Sequence, residues 1–118
     1  MLVTKEFEFD AAHRLINYRG KCENLHGHRW KVQVTLKASL QKDGIAFDFV
    51  ELKKIVEEKV IKKLDHTYLN DLLPQPSTEN IALWIWERLK EELPLYEVKV
   101  WESPTSFVTY RGEREENF

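Results

Sequence analysis

The stretch Leu2-Val3-Thr4-Lys5-Glu6-Phe7-Glu8-Phe9-Asp10 puts Leu2, Thr4, Glu6 and Glu8 on one parity and Val3, Lys5, Phe7 and Phe9 on the other. A period of two is that of a half-buried strand, so the stretch reads as β-structure with Phe7 and Phe9 inward, continuing towards His13. Residues 28–39, with Val32, Val34 and Leu36 alternating, give a second strand, and Gln41-Lys42-Asp43-Gly44 a turn. Asp48 then offers a cap, with Glu51 three residues on, for a helix whose apolar positions are Phe49, Leu52, Ile55, Val56 and Val60. After Pro74 and Pro76, Ser77 or Thr78 can cap a second helix that buries Ile81, Trp84, Ile85 and Leu89. Runs 96–102 and 106–111 alternate again and close the chain as strands, before a charged tail at Glu113–Asn117. The order strand, strand, helix, helix, strand, strand argues for an α+β domain: a four-stranded antiparallel sheet carrying two helices on one face. Such a unit has free edges that invite pairing with other copies, so a homo-oligomer that closes its sheets into a ring is expected.

A chain of 118 residues is one domain, 1–118, by length. Net charge −2 gives no basic face for nucleic acid. No apolar run approaches the length of a membrane span, and no signal peptide is recognised, so no membrane partner is expected. The single cysteine excludes an internal disulfide and fits a reducing cytoplasm.

Three of the four histidines and the only cysteine fall between residues 13 and 28. His26 and His28, two apart at the opening of a strand, leave the same face and can reach one metal ion. His13 can supply a third nitrogen if its strand is a neighbour. Three protein ligands without an obvious fourth describe a catalytic zinc site. Cys22 has three readings: a thiolate base or nucleophile, a fourth zinc ligand, or an inert structural thiol. Asp65-His66 pairs a carboxylate with an imidazole, either as a poised general base or as a capped helix end with His66 in solvent. Glu102, ending an apolar strand, can accept two N–H bonds from a flat heterocycle, or it is a solvated strand end. Trp84, Trp86 and Trp101 read as core or interface.

Taken in order, Phe9–Leu15, Cys22–His28, Phe47-Asp48-Phe49, Leu64–Asn70, Pro76–Asn80, and Glu102 with Tyr110-Arg111-Gly112 resemble the tunnel-fold family of 6-pyruvoyltetrahydropterin and 6-carboxytetrahydropterin synthases. The resemblance implies zinc on His13, His26 and His28, Cys22 as the proton-abstracting base, and Asp65 with His66 activating the catalysis. It also implies Glu102 as the anchor of the pterin ring, helped by Ser77 and Thr78. The implied assembly is a homohexamer, a dimer of trimers with active sites between subunits. The implied substrate is 7,8-dihydroneopterin triphosphate. Three outcomes divide the family: a 6-pyruvoyl product, a 6-carboxy product formed with loss of acetaldehyde, and cleavage to a 6-hydroxymethyl pterin for folate. The carboxy branch, which leads to deazapurine nucleosides of transfer RNA, is the expectation, with Glu23 beside Cys22 pointing towards the folate-type cleavage. The rivals from other classes are a non-catalytic zinc-binding scaffold and a zinc hydrolase acting on a small carbonyl or ester.

Overall fold

The computed structural model describes residues 1–20 and 23–113. Strand β1 (Leu2–His13) pairs antiparallel with β2 (His26–Lys37) along its whole length, and β2 pairs antiparallel with β4 (Leu95–Ser103). β5 (Ser106–Tyr110) returns beside β4. The inward parity read from the sequence holds: Phe7, Phe9, Trp30, Val32, Val34, Val98 and Val100 are all buried.

The sheet corrects the four-stranded antiparallel expectation. It has five strands in the order β3-β1-β2-β4-β5, and it is mixed. The added strand, β3 (Thr67–Tyr68), runs parallel to β1 with Ala11 opposite Thr67 and Ala12 opposite Tyr68. Two residues carry no period to read, so only the tertiary position of the 64–70 segment reveals this strand.

Helix α1 (Phe49–Val56) begins where Asp48 accepts a hydrogen bond from the Val50 amide at 2.8 Å, satisfying one free donor of the first turn. It runs into a π-helical stretch, Glu57–Ile61, and a last α turn, Lys62–Leu64. Val56, Val60, Ile61 and Leu64 all reach the core from this continuous helical run. Phe49, assigned to the buried face by periodicity, is 57% exposed, and its neighbour Val50 is 75% exposed. The first turn of α1 is exposed, and its buried residues begin at Leu52.

Helix α2 (Thr78–Leu89) is capped by the Ser77 hydroxyl, which accepts from the Asn80 amide at 3.1 Å. Ile81, Ala82, Ile85 and Leu89 are buried, whereas Trp84 is half-buried. Both helices bury their apolar stripes in a single core with the inward residues of the strands, forming two layers. Among the described residues, no helix is long and apolar enough to cross a membrane.

The chain closes over Trp86, whose ring packs edge-on against Tyr110 at 5.3 Å between centroids. Gly112 follows with φ +83°, and a Cβ there would lie 2.4 Å from the Trp86 ring. Gly112→Ala combines left-handed strain with overlap against a packed indole, so a loss of roughly 1–3 kcal/mol is expected. A urea-unfolding midpoint indistinguishable from that of the unaltered chain would refute this.

Candidate metal centre and adjoining catalytic pair

The register of β1 on β2 builds the metal centre. His13 lies directly opposite His26, and Ala11 opposite His28, so three imidazoles share one face at one end of the sheet. The methyl group of Ala11 leaves the space above it to the His28 ring. The ring centroids stand 4.6 Å apart for His13–His26, 4.8 Å for His26–His28 and 5.2 Å for His13–His28. Trp30 forms the floor, wholly buried, with its ring edge-on to His13 and His28 and its indole N–H donating to the Ala11 carbonyl.

Two of the rings have fixed tautomers. His13 Nδ1 lies 2.8 Å from the Pro76 carbonyl, and His26 Nδ1 lies 2.8 Å from the Asn24 carbonyl. A carbonyl only accepts, so both Nδ1 atoms carry a proton, and in the neutral tautomer this selects the lone pair lies on Nε2. His13 Nε2 and His28 Nε2 are buried without a hydrogen-bond partner. Burial holds the His28 pKa below its ordinary value, reinforced by the neighbouring His26 and His13 and opposed by Glu102, so the ring is neutral at pH 7.

Glu102 completes the cluster. It shares the face of Val98 and Val100, one residue beyond the last β2–β4 pair, Lys31 with Trp101. Its Oε1 stands 3.0 Å from His28 Nε2 and 3.6 Å from His13 Nε2. Its Oε2 accepts from the Thr78 hydroxyl at 3.0 Å. One ligand atom each from His13, His26, His28 and Glu102 lies within 4.8 Å of the others. The Nε2 lone pairs of His13 and His26 and the Glu102 carboxylate converge on one region, and electron pairs so gathered repel one another unless a cation sits there. Small side-chain rotations would close the three Nε2 atoms round an ion bound at ~2.0–2.1 Å, with the Glu102 carboxylate beside it, so the three histidines fit zinc.

Asp65 and His66 form a second, separate constellation. His66 Nδ1 is 3.0 Å from Asp65 Oδ2, and the Asp10 amide donates to Asp65 Oδ1 at 2.9 Å. The Asp10 carbonyl in turn accepts from the His66 amide at 2.6 Å. This holds His66 at φ 57°, a left-handed conformation that a non-glycine residue adopts only when its surroundings impose it. Among the described residues, no hydrogen bond or ion pair joins this pair to the histidine cluster. His66, which is 79% exposed, instead shares an open groove with Asp10, Gly27, His28 and Arg29. A neighbouring cleft of about 520 Å³ runs from His28 and Arg29 past Trp101 to Glu102.

The sequence-derived residues therefore have four dispositions. His13, His26, His28, Glu102 and Thr78 converge, and Asp65 with His66 stand as a pair on the groove. Ser77 spends its hydroxyl on capping α2. Cys22 lies outside the described residues. Trp30 and the Pro76 carbonyl were not foreseen. Trp30 sat in the inward parity of β2 and could have been found there, whereas a backbone carbonyl leaves no mark in a sequence.

The 6-pyruvoyl tetrahydropterin synthase family model matches residues 2–113. The chain is 40% identical over 122 residues to a 6-carboxy-5,6,7,8-tetrahydropterin synthase of Synechocystis, with 96% of this chain and 95% of that protein covered. It is 43% identical over 98 residues to a dihydroneopterin monophosphate aldolase of Pyrococcus furiosus, covering 80% of this chain and 82% of that one. In structure it is similar to the 6-pyruvoyl tetrahydropterin synthase of Caenorhabditis elegans, with a TM-score of 0.85, 28% identity and 96% of each chain covered.

The Asp10 amide, more than the His66 ring, holds the Asp65 carboxyl below the ordinary carboxylate range. A carboxylate with a depressed folded-state pKa contributes stability that is complete above its unfolded value of about 3.9 and is lost as pH falls through the folded one. The stability gap between the unaltered chain and Asp65→Asn is therefore expected to be constant above about pH 5 and to shrink below about pH 4. Denaturation midpoints across that range test this, and a gap that persists undiminished at pH 2 contradicts it.

Proposed function

Because the chain belongs to the 6-pyruvoyl tetrahydropterin synthase family, we propose that it converts 7,8-dihydroneopterin triphosphate to 6-carboxy-5,6,7,8-tetrahydropterin, with loss of acetaldehyde and triphosphate. Tetrahydropterin synthases recur among its relatives, and the carboxy outcome is the finer reading, supported by the Synechocystis relative. The observation that carries the chemistry is the pair of buried, unpartnered Nε2 atoms of His13 and His28 facing Glu102.

His13, His26 and His28 would hold zinc, with the Pro76 and Asn24 carbonyls orienting two of the rings. Bound there, zinc supplies a Lewis acid that acidifies the hydroxyls and adjoining C–H bonds of the substrate side chain. Thr78 holds the Glu102 carboxylate at the rim, where its two oxygens would accept the N–H groups of the pterin ring. Asp65 orients the His66 imidazole through Nδ1, which keeps Nε2 free to take and return a proton. Cys22 takes the role of proton-abstracting base. The exposed His66 ring and the open cleft support a site completed by a second copy, in a dimer of trimers. A cytoplasmic location fits the reduced thiol.

One observation favours a second outcome, cleavage to a 6-hydroxymethyl pterin. Glu23 lies half-buried three residues before His26, with its carboxylate 3.2 Å from the Leu15 amide, and the Pyrococcus relative is an aldolase.

Mass-spectrometric analysis after incubating the zinc-loaded protein with 7,8-dihydroneopterin triphosphate is expected to show the 6-carboxy product and acetaldehyde. A hydroxymethyl or pyruvoyl product would replace the branch, and zinc-bound protein without turnover would favour the scaffold reading. Cys22→Ala is expected to lower kcat on the order of 10²-fold or more, as for loss of a general base, whereas a zinc hydrolase using water would keep most of its activity. His28→Ala is expected to abolish stoichiometric zinc, and a full equivalent of metal in that variant would rule out the ligand set.

A further inference from the structure

Between His13 and the loop that returns to His26, residues 14–16 run as a strap outside the sheet. Its backbone is held one residue at a time by side chains. Asn70 accepts from the Arg14 amide at 3.0 Å and donates to the Arg14 carbonyl at 2.9 Å. Gln75 accepts from the Ile16 amide at 2.7 Å and donates to the Ile16 carbonyl at 3.0 Å. Each carboxamide thus meets both polar groups of a single residue, as a neighbouring strand would. Leu15, between them, is paired from the other side by Glu23, whose amide donates to the Leu15 carbonyl at 3.0 Å and whose carboxylate accepts from the Leu15 amide at 3.2 Å. The strap is therefore the template on which the chain returns, three residues before His26.

The far ends of both clamps belong to the site already described. Asn70 follows the Asp65-His66 pair and β3. Gln75 precedes Pro76, whose carbonyl sets the His13 tautomer, and its own carbonyl accepts from the Asn80 side chain at 2.8 Å and the Ser77 amide at 2.9 Å.

We propose that Asn70 and Gln75 are positioning residues: by clamping the backbone of Arg14 and Ile16 they hold the strap that places Glu23 and the approach to His26 against the metal centre. The inference rests on the pterin synthase reading for its kinetic consequence and on the hydrogen bonds alone for its structural one. Neither side chain is needed as a ligand, so zinc stays bound without them. A displacement of about 1 Å of groups near the reacting atoms costs on the order of 10²-fold in rate.

The test uses Gln75→Met and Asn70→Leu, which keep the size of each side chain and remove its polar atoms, in the zinc-loaded protein. Peptides covering residues 14–20 are expected to lose hydrogen-exchange protection while those covering 26–37 keep it. kcat is expected to fall about 10- to 100-fold with KM within about twofold and zinc still stoichiometric. Unchanged protection of residues 14–20, or a rise in KM at constant kcat, overturns the proposal. Should either variant fail to fold, Asn70→Asp decides: it keeps the acceptor for the Arg14 amide and sets a carboxylate oxygen against the Arg14 carbonyl in place of the donor, so a several-fold fall in kcat supports the proposal and an unaltered kcat refutes it. Absence of turnover in the unaltered chain would defeat the functional reading, and the exchange result would still decide the clamp.

Discussion

The pairing of β1 with β2 is the constraint on which the rest depends. In that register His13 faces His26, and Ala11 faces His28. Because side chains alternate across a strand, a slip of β1 by one residue would send His13, Phe7 and Phe9 to the face opposite His26, His28 and Trp30. The apolar core and the polar cluster are thus specified by one parity. Burial of Phe9, Trp30, Val32 and Val34 holds the register, and the register assembles the donors. The cluster lies at the end of the same face as the core, with Trp30 packed beneath it.

Electron-rich atoms held together in a half-buried site are costly to keep apart from water and from each other. The protein meets that cost with backbone carbonyls and one hydroxyl. Pro76 and Asn24 fix two rings, and Thr78 holds Glu102. The segment 75–78 has four consecutive duties: Gln75 clamps the strap, Pro76 orients His13, Ser77 caps α2, and Thr78 steadies Glu102. Because these duties fall on adjacent residues, the start of α2 and the candidate metal centre are tied together by one short segment. By contrast, the Asp65-His66 pair hangs on the Asp10 backbone, with its imidazole open to solvent.

Much of the fold was legible because it is repetitive. Alternation fixed the long strands and their inward faces, and Asp48 and Ser77 marked both helix starts through the chemistry of their side chains. Phe49 misled because periodicity reports a helix face and not how far the sheet extends beneath it. The π-helical stretch was illegible because the spacing of backbone hydrogen bonds leaves no mark in the apolar pattern.

By itself the sequence determined which chemistry was available: three imidazoles and a carboxylate at strand positions, one Asp-His pair, and the spacing that puts His26 and His28 on one face. Only the tertiary structure decided how these groups combine. It placed His13 opposite His26 and turned Glu102 towards the histidines. It also set β3 parallel to β1, which pins Asp65 and His66 to the backbone of Asp10. The physical reason is that side-chain type and period are local properties of a chain. Register, carbonyl partners and left-handed residues such as His66 arise only when segments distant in sequence meet.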